Sequence, residues 1–106
     1  MLPDLDDLEE LFKKMNRNGF NTEEPLKWGF FFLDETKSNF EKLYEELKDH
    51  GYKVEKLTLD KGEWALFVSK IDTLTPLKLH KRNIAFNQLA EHCNVSSYDG
   101  WDVEKL

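Results

Sequence analysis

At 106 residues the chain fits one domain and leaves little room for two. Its 40% apolar content, with eight Phe, three Trp and three Tyr, can build a real core and excludes the low-hydrophobicity disordered class. A net charge of −6 disfavours non-specific nucleic-acid binding and suits a basic protein partner, and a lone cysteine permits no internal disulfide.

Acid is concentrated early. Residues 1–24 hold Asp4, Asp6, Asp7, Glu9, Glu10, Glu23 and Glu24 against Lys13, Lys14 and Arg17. Asp4 to Met15 reads as a helix, with Pro3 near its start. Leu5, Leu8, Leu11, Phe12 and Met15 form its apolar stripe, and the carboxylates lie opposite. Asn18-Gly19 is a natural stop, and residues 20–27, with Pro25, read as an extended link. Trp28-Gly-Phe-Phe-Phe-Leu33 is almost wholly apolar, which predicts a central strand with both faces covered or nearly so. Asp34-Glu35-Thr36 offers capping chemistry for a helix carrying Phe40, Leu43, Tyr44 and Leu47, which Gly51 ends.

Tyr52 to Leu59 and Glu63 to Ile71 read as strands joined by the short turn Asp60-Lys61-Gly62. In the second of them Trp64, Leu66 and Val68 share one face, and Ala65, Phe67 and Ile71 the other. Pro76 opens a last helix to about His92, with a core stripe of Leu79, Phe86, Leu89, Ala90 and Cys93 and with Ile84 and Ala85 at its margin. A short strand is expected around Tyr98 to Val103. The expected fold class is α+β: a β-α-β-β-α-β core over residues 28–106, with one four-stranded antiparallel sheet and two helices on one face. Residues 1–27 add an acidic N-terminal helix and linker.

No grouping of residues points to catalysis. His50, His80, His92 and Cys93 do not form a metal-ligand spacing, there is no nucleophile elbow, and the five glycines are scattered, so neither a metal nor another cofactor is expected and the chain is not read as an enzyme. Cys93 falls on a core stripe, where a thiol is normally inert. The acids of the first helix read as a solvated face. Lys78, His80, Lys81 and Arg82 form the one basic run, which reads first as a solvated helix turn. An alternative is an RNA-binding domain that uses this run together with the sheet aromatics Phe30, Phe31 and Phe32. The glycine-aromatic signature of such domains is missing from Trp64 to Val68, and the net charge has the wrong sign, so direct nucleic-acid binding is disfavoured. No apolar run is long enough to cross a membrane, and an acidic segment stands where a secretory leader would be basic and apolar. A cytoplasmic location is therefore expected.

Tyr98-Asp99-Gly100-Trp101 is the candidate partner-binding segment. Glycine permits a bend beside a strand, Asp can bond its own turn, and two large aromatics flank them. One reading is a bulge with Trp101 packed on the sheet, and the other is an aromatic anchor for a partner.

Leu89-Ala90-Glu91-His92-Cys93-Asn94-Val95 followed by Tyr98-Asp99-Gly100-Trp101 resembles the end of the regulator of ribonuclease E activity B family, and Gly51-Tyr52-Lys53-Val54 resembles its Gly-Tyr-x-Val step. The resemblance spans about residues 28–101. It implies a ferredoxin-like α/β sandwich and a non-catalytic regulator that binds ribonuclease E, or a related ribonuclease, and inhibits RNA cleavage by it. It also implies a long acidic segment after Tyr-Asp-Gly-Trp. In this sequence the concentrated acid lies in residues 1–24.

Overall fold

A computed structural model describes residues 4–106, so Pro3, expected near the first helix start, lies outside the described residues. The elements are α1 (Leu5–Arg17), β1 (Leu26–Asp34), α2 (Ser38–Leu47) continued by a 3-10 turn (Lys48–His50), β2 (Lys53–Asp60), β3 (Glu63–Asp72), α3 (Pro76–His92) and β4 (Ser97–Glu104). The four strands form one sheet in the order β2-β3-β1-β4, with every neighbouring pair antiparallel. The fold is mixed α and β, with three helices and an open four-stranded sheet.

Asp4 caps α1 by accepting the Asp7 backbone N–H at 2.9 Å, and Asp6 and Asp7 occupy the first turn while Lys14 and Arg17 occupy the last. Each charge therefore opposes the sign of the helix dipole at its own end. Leu8, Phe12 and Met15 are buried, whereas Leu11 turns out to solvent. The stripe on this helix is narrower than its periodicity predicts. Thr75 caps α3 in the same way as Asp4, through the Lys78 N–H.

β1 sits at the centre of the sheet, paired with β3 and β4. Trp28, Phe30 and Phe32 alternate onto one side with no exposure at all. Transfer from water contributes about 2–3 kcal/mol for each such ring. Phe12 of α1 stacks on Trp28, and Phe86 of α3 meets both Phe30 and Phe32 edge-on. Phe40, Leu43 and Leu47 of α2 join the same cluster, so all three helices feed one core.

Among the described residues no helix lies on the opposite side, in keeping with the expected placement of helices on one face, so β1 is fully covered on one side and only partly on the other. Lys27, Phe31 and Leu33 are partly exposed there. Phe31 stacks on Phe67 of β3, its register partner, at 4.4 Å and 13°. A Cβ on Gly29 would collide with the Phe67 ring and the Asp102 carboxylate, so this glycine is a seat for its neighbours. The apolar run is thus satisfied by helices on one side and by mutual shielding within the sheet on the other.

Two further expectations change. The capping role given to Asp34-Glu35-Thr36 falls elsewhere, because the residue preceding α2 is Lys37 and it makes no side-chain cap. On α3, Ile84 and Ala85 are exposed, Leu89 is partly buried, and Asn83 takes the core position between Leu79 and Phe86.

Candidate partner-binding surfaces

The Tyr98-Asp99-Gly100-Trp101 segment is a β-bulge in edge strand β4. Gly100 lies opposite Phe31 and Tyr98 opposite Phe32, so Asp99 is the extra residue. Positions 98 and 101 would face opposite ways in a regular strand. The bulge restores the parity and turns both rings to the helix side. Gly100 has φ 110°, a left-handed conformation that glycine adopts freely, and a Cβ there would touch nothing within 4 Å, so backbone conformation rather than space selects it.

Tyr98 is buried against Phe32 and Phe86, and its hydroxyl donates to Asn83 Oδ1 at 2.6 Å. Burial pushes its phenol well above the usual tyrosine range. Trp101 is partly buried and packs on Trp28 at 5.7 Å. Asp99 is the member of the four that stands exposed. The motif therefore presents to solvent one carboxylate, a bent backbone and the uncovered part of an indole.

The entry to β4 is fixed by a residue whose sequence signal points to the neighbouring helix instead. Asp34, 4% exposed at the end of β1, accepts the Ser96 N–H (3.0 Å), the Ser96 hydroxyl (2.7 Å), the Thr36 N–H (3.0 Å) and Asn39 Nδ2 (2.9 Å). Burial alone would raise its pKa. The Ser96, Asn39 and Thr36 donors outweigh that and hold it below the ordinary carboxylate range.

The charged surfaces are separate. Asp6, Asp7, Glu9 and Glu10 all stand exposed on α1, with Glu10 paired to Lys13 at 3.2 Å. In the basic run Lys78 and Lys81 are exposed, as a solvated turn requires, and His80 and Arg82 are partly buried. Lys78, Lys81 and Arg82 line a cleft of about 550 Å³ between α3 and the end of α2, with His50, Tyr52 and Lys70 on its other walls. The basic run and the open-face aromatics Phe31 and Phe67 are therefore on opposite layers of the molecule. Phe30 and Phe32 are sealed under the helices. A surface that combined the run with Phe30, Phe31 and Phe32 is not assembled.

On the open face, Glu55 occupies a bulge in β2, accepts the Ser69 hydroxyl at 2.6 Å and pairs with Lys27 at 2.9 Å. The Ser69 hydrogen bond, then Lys27, draw the Glu55 pKa down. Asp102 behaves in the opposite way: burial, with Glu104 adding repulsion, raises its pKa. Cys93 is buried, and burial pushes its thiol up, away from the reactive thiolate. Among the described residues no three His, Cys, Asp or Glu side chains are grouped to hold a metal ion, and no helix is long and apolar enough to cross a membrane.

Compared with known proteins, residues 5–103 match the family model described as Regulator of ribonuclease activity B. The match begins at the first residue of α1 and ends inside β4, so it takes in the acidic helix as well as the sheet. No curated protein matches the sequence significantly.

Proposed function

The chain belongs to the Regulator of ribonuclease activity B family, and from that premise we propose that it is a non-catalytic cytoplasmic regulator that binds a ribonuclease, of the ribonuclease E kind, and slows its cleavage of RNA. The match over residues 5–103 is the observation that carries this reading. The solvated carboxylates of α1 support it as a docking surface, because ribonucleases need basic segments to hold RNA and such segments are attracted to an acidic helix. Asp99 and the bulged edge of β4 form a second contact region in this proposal. The sheet is read as ferredoxin-like, with α2 linking β1 to β2 and α3 linking β3 to β4 in support.

The test is to add the purified protein to a ribonuclease E cleavage reaction on a defined RNA. Slower cleavage and a stable complex at micromolar protein are expected. Neutralising Asp6, Asp7, Glu9 and Glu10 to their amides should weaken the complex roughly tenfold at low salt and less at high salt. Undiminished cleavage with no complex would reject the reading for that enzyme.

A further inference from the structure

The cleft between α2 and α3 gathers cations in a chain that is acidic overall. The protein carries 21 acids and 15 bases. Lys13, Lys27 and Lys48 each pair with a glutamate, and the other lysines, inside the cleft and outside it, make no ion pair among the described residues. Lys70, Lys78 and Lys81 line the cleft, and none of them belongs to an ion pair among the described residues. Arg82 stands beside them, its Nη1 held by Asp72 at 3.0 Å. His50 completes the rim, and Glu46 is the one carboxylate in the lining.

Spacing explains the convergence. Lys78, Lys81, Arg82, Ala85, Phe86 and Leu89 recur at intervals of three and four and so share one face of α3. That face is cationic at its first turns and apolar further on. Leu47 continues the apolar part across the cleft, and Lys70 Nζ sits 5.3 Å from the centre of the Tyr52 ring. The volume lies within the range of small-molecule sites. Cations gathered at one end and hydrocarbon at the other fit a ligand that is anionic at one end only.

We propose that this cleft binds a phosphomonoester carrying an organic body, with the phosphate among Lys70, Lys78, Lys81 and Arg82 and the body against Ala85, Leu89 and Leu47. A mononucleotide and the 5′-phosphorylated end of an RNA present the same chemistry. This site is independent of the ribonuclease-docking reading and is tested without any ribonuclease present.

Calorimetric titration of the intact protein with adenosine 5′-monophosphate, adenosine and inorganic phosphate tests it. Saturable binding of the monophosphate is expected, at least tenfold tighter than either adenosine or inorganic phosphate and weaker as salt rises. The double variant Lys78→Ala/Lys81→Ala alters two exposed side chains and should lower affinity tenfold or more with an unchanged melting temperature. A 5′-phosphorylated RNA tetramer binding more tightly than its 5′-hydroxyl twin supports the site and identifies an RNA end as the source. No saturation, equal affinity for the monophosphate and adenosine, equal affinity for the monophosphate and inorganic phosphate, or indifference to the double substitution would each overturn the proposal. Equal binding of the two RNA forms, both tighter than the mononucleotide, would replace it with a backbone-tracking groove.

Discussion

The two sides of β1 come from one apolar run, yet they are finished differently. On the helix side Trp28, Phe30 and Phe32 are sealed by Phe12, Phe86 and Tyr98 from three other elements. On the open side Phe31 is covered chiefly by Phe67, and Gly29 is left bare of side chain so that the Phe67 ring and Asp102 can lie over it. An unbroken apolar run therefore marks the centre of a sheet. It does not count the layers, because a partly exposed stacked pair can shield a face that no helix covers.

The largest expected effect sharpens that contrast. Phe30→Ala should cost about 4 kcal/mol, since helix and sheet cannot both close on the void. Phe31→Ala should cost less than about half as much, because water reaches the vacated site and no cavity is sealed. Urea unfolding of the two variants measures the difference. Equal losses would mean that the open face is as buried in solution as the helix side, and the contrast would fail.

Asp34 extends the comparison to polar groups on the helix side. Asp34→Ala takes the acceptor from the N–H groups of Ser96 and Thr36 and from the Asn39 amide, which keeps Asn94 O, in a part-buried corner, and should cost about 2 kcal/mol at pH 7. The sign with pH follows from the lowered carboxyl. Its folded pKa lies below the unfolded value, so its stabilisation is complete above the ordinary carboxylate range and is lost as pH falls through the folded pKa. The gap between native and Asp34→Asn stability should thus be widest near neutrality and narrow in acid. A gap that widened on acidification would refute the hydrogen-bonded carboxylate as its source.

The same contrast separates what the sequence discloses from what it hides. Period-2 and period-3.6 patterns reveal elements, and the order from β1 to β4 follows from them; the Ala65/Phe67 and Leu66/Val68 faces of β3 are legible in this way. Local pattern also predicts the kink at Gly100. It does not disclose groups whose partners are distant in the chain. Asp34 reads as a cap for the helix beside it, whereas Ser96, 62 residues on, supplies two of its donors. Asn83 carries no sequence signal, because polar residues in helices are usually exposed, and the Tyr98 hydroxyl that meets it lies 15 residues on. Leu11 and Ile84 fail the other way: periodicity marks them as apolar but not the width of the face that the neighbours cover. Lys78 and Lys81 read as a solvated turn and are exposed, but the cleft they line is hidden, because its opposite wall belongs to α2 and the strands.

The smallest of these effects tests the motif itself. Tyr98→Phe removes the hydroxyl that donates to Asn83 Oδ1 and leaves Asn83, whose Nδ2 already lacks a partner, wholly unsatisfied at 1% exposure. The expected loss is about 1–2 kcal/mol, set by the stranded amide more than by the bond. Replacing both partners with apolar groups, Tyr98→Phe/Asn83→Leu, removes the stranded atoms and should recover most of it, a coupling that a double-mutant cycle in urea reads directly. On the open face Ser69→Ala breaks a bond of the same length, yet it leaves Glu55 with Lys27 and with water, so its cost should be the smaller. If the double substitution restores nothing, Tyr98 acts through its ring packing alone and Asn83 is held by another contact. If it restores stability while the complex with the ribonuclease is unchanged, the buried half of Tyr-Asp-Gly-Trp serves to hold β4 in place, and any direct contact from the motif falls to Asp99 and the uncovered part of Trp101.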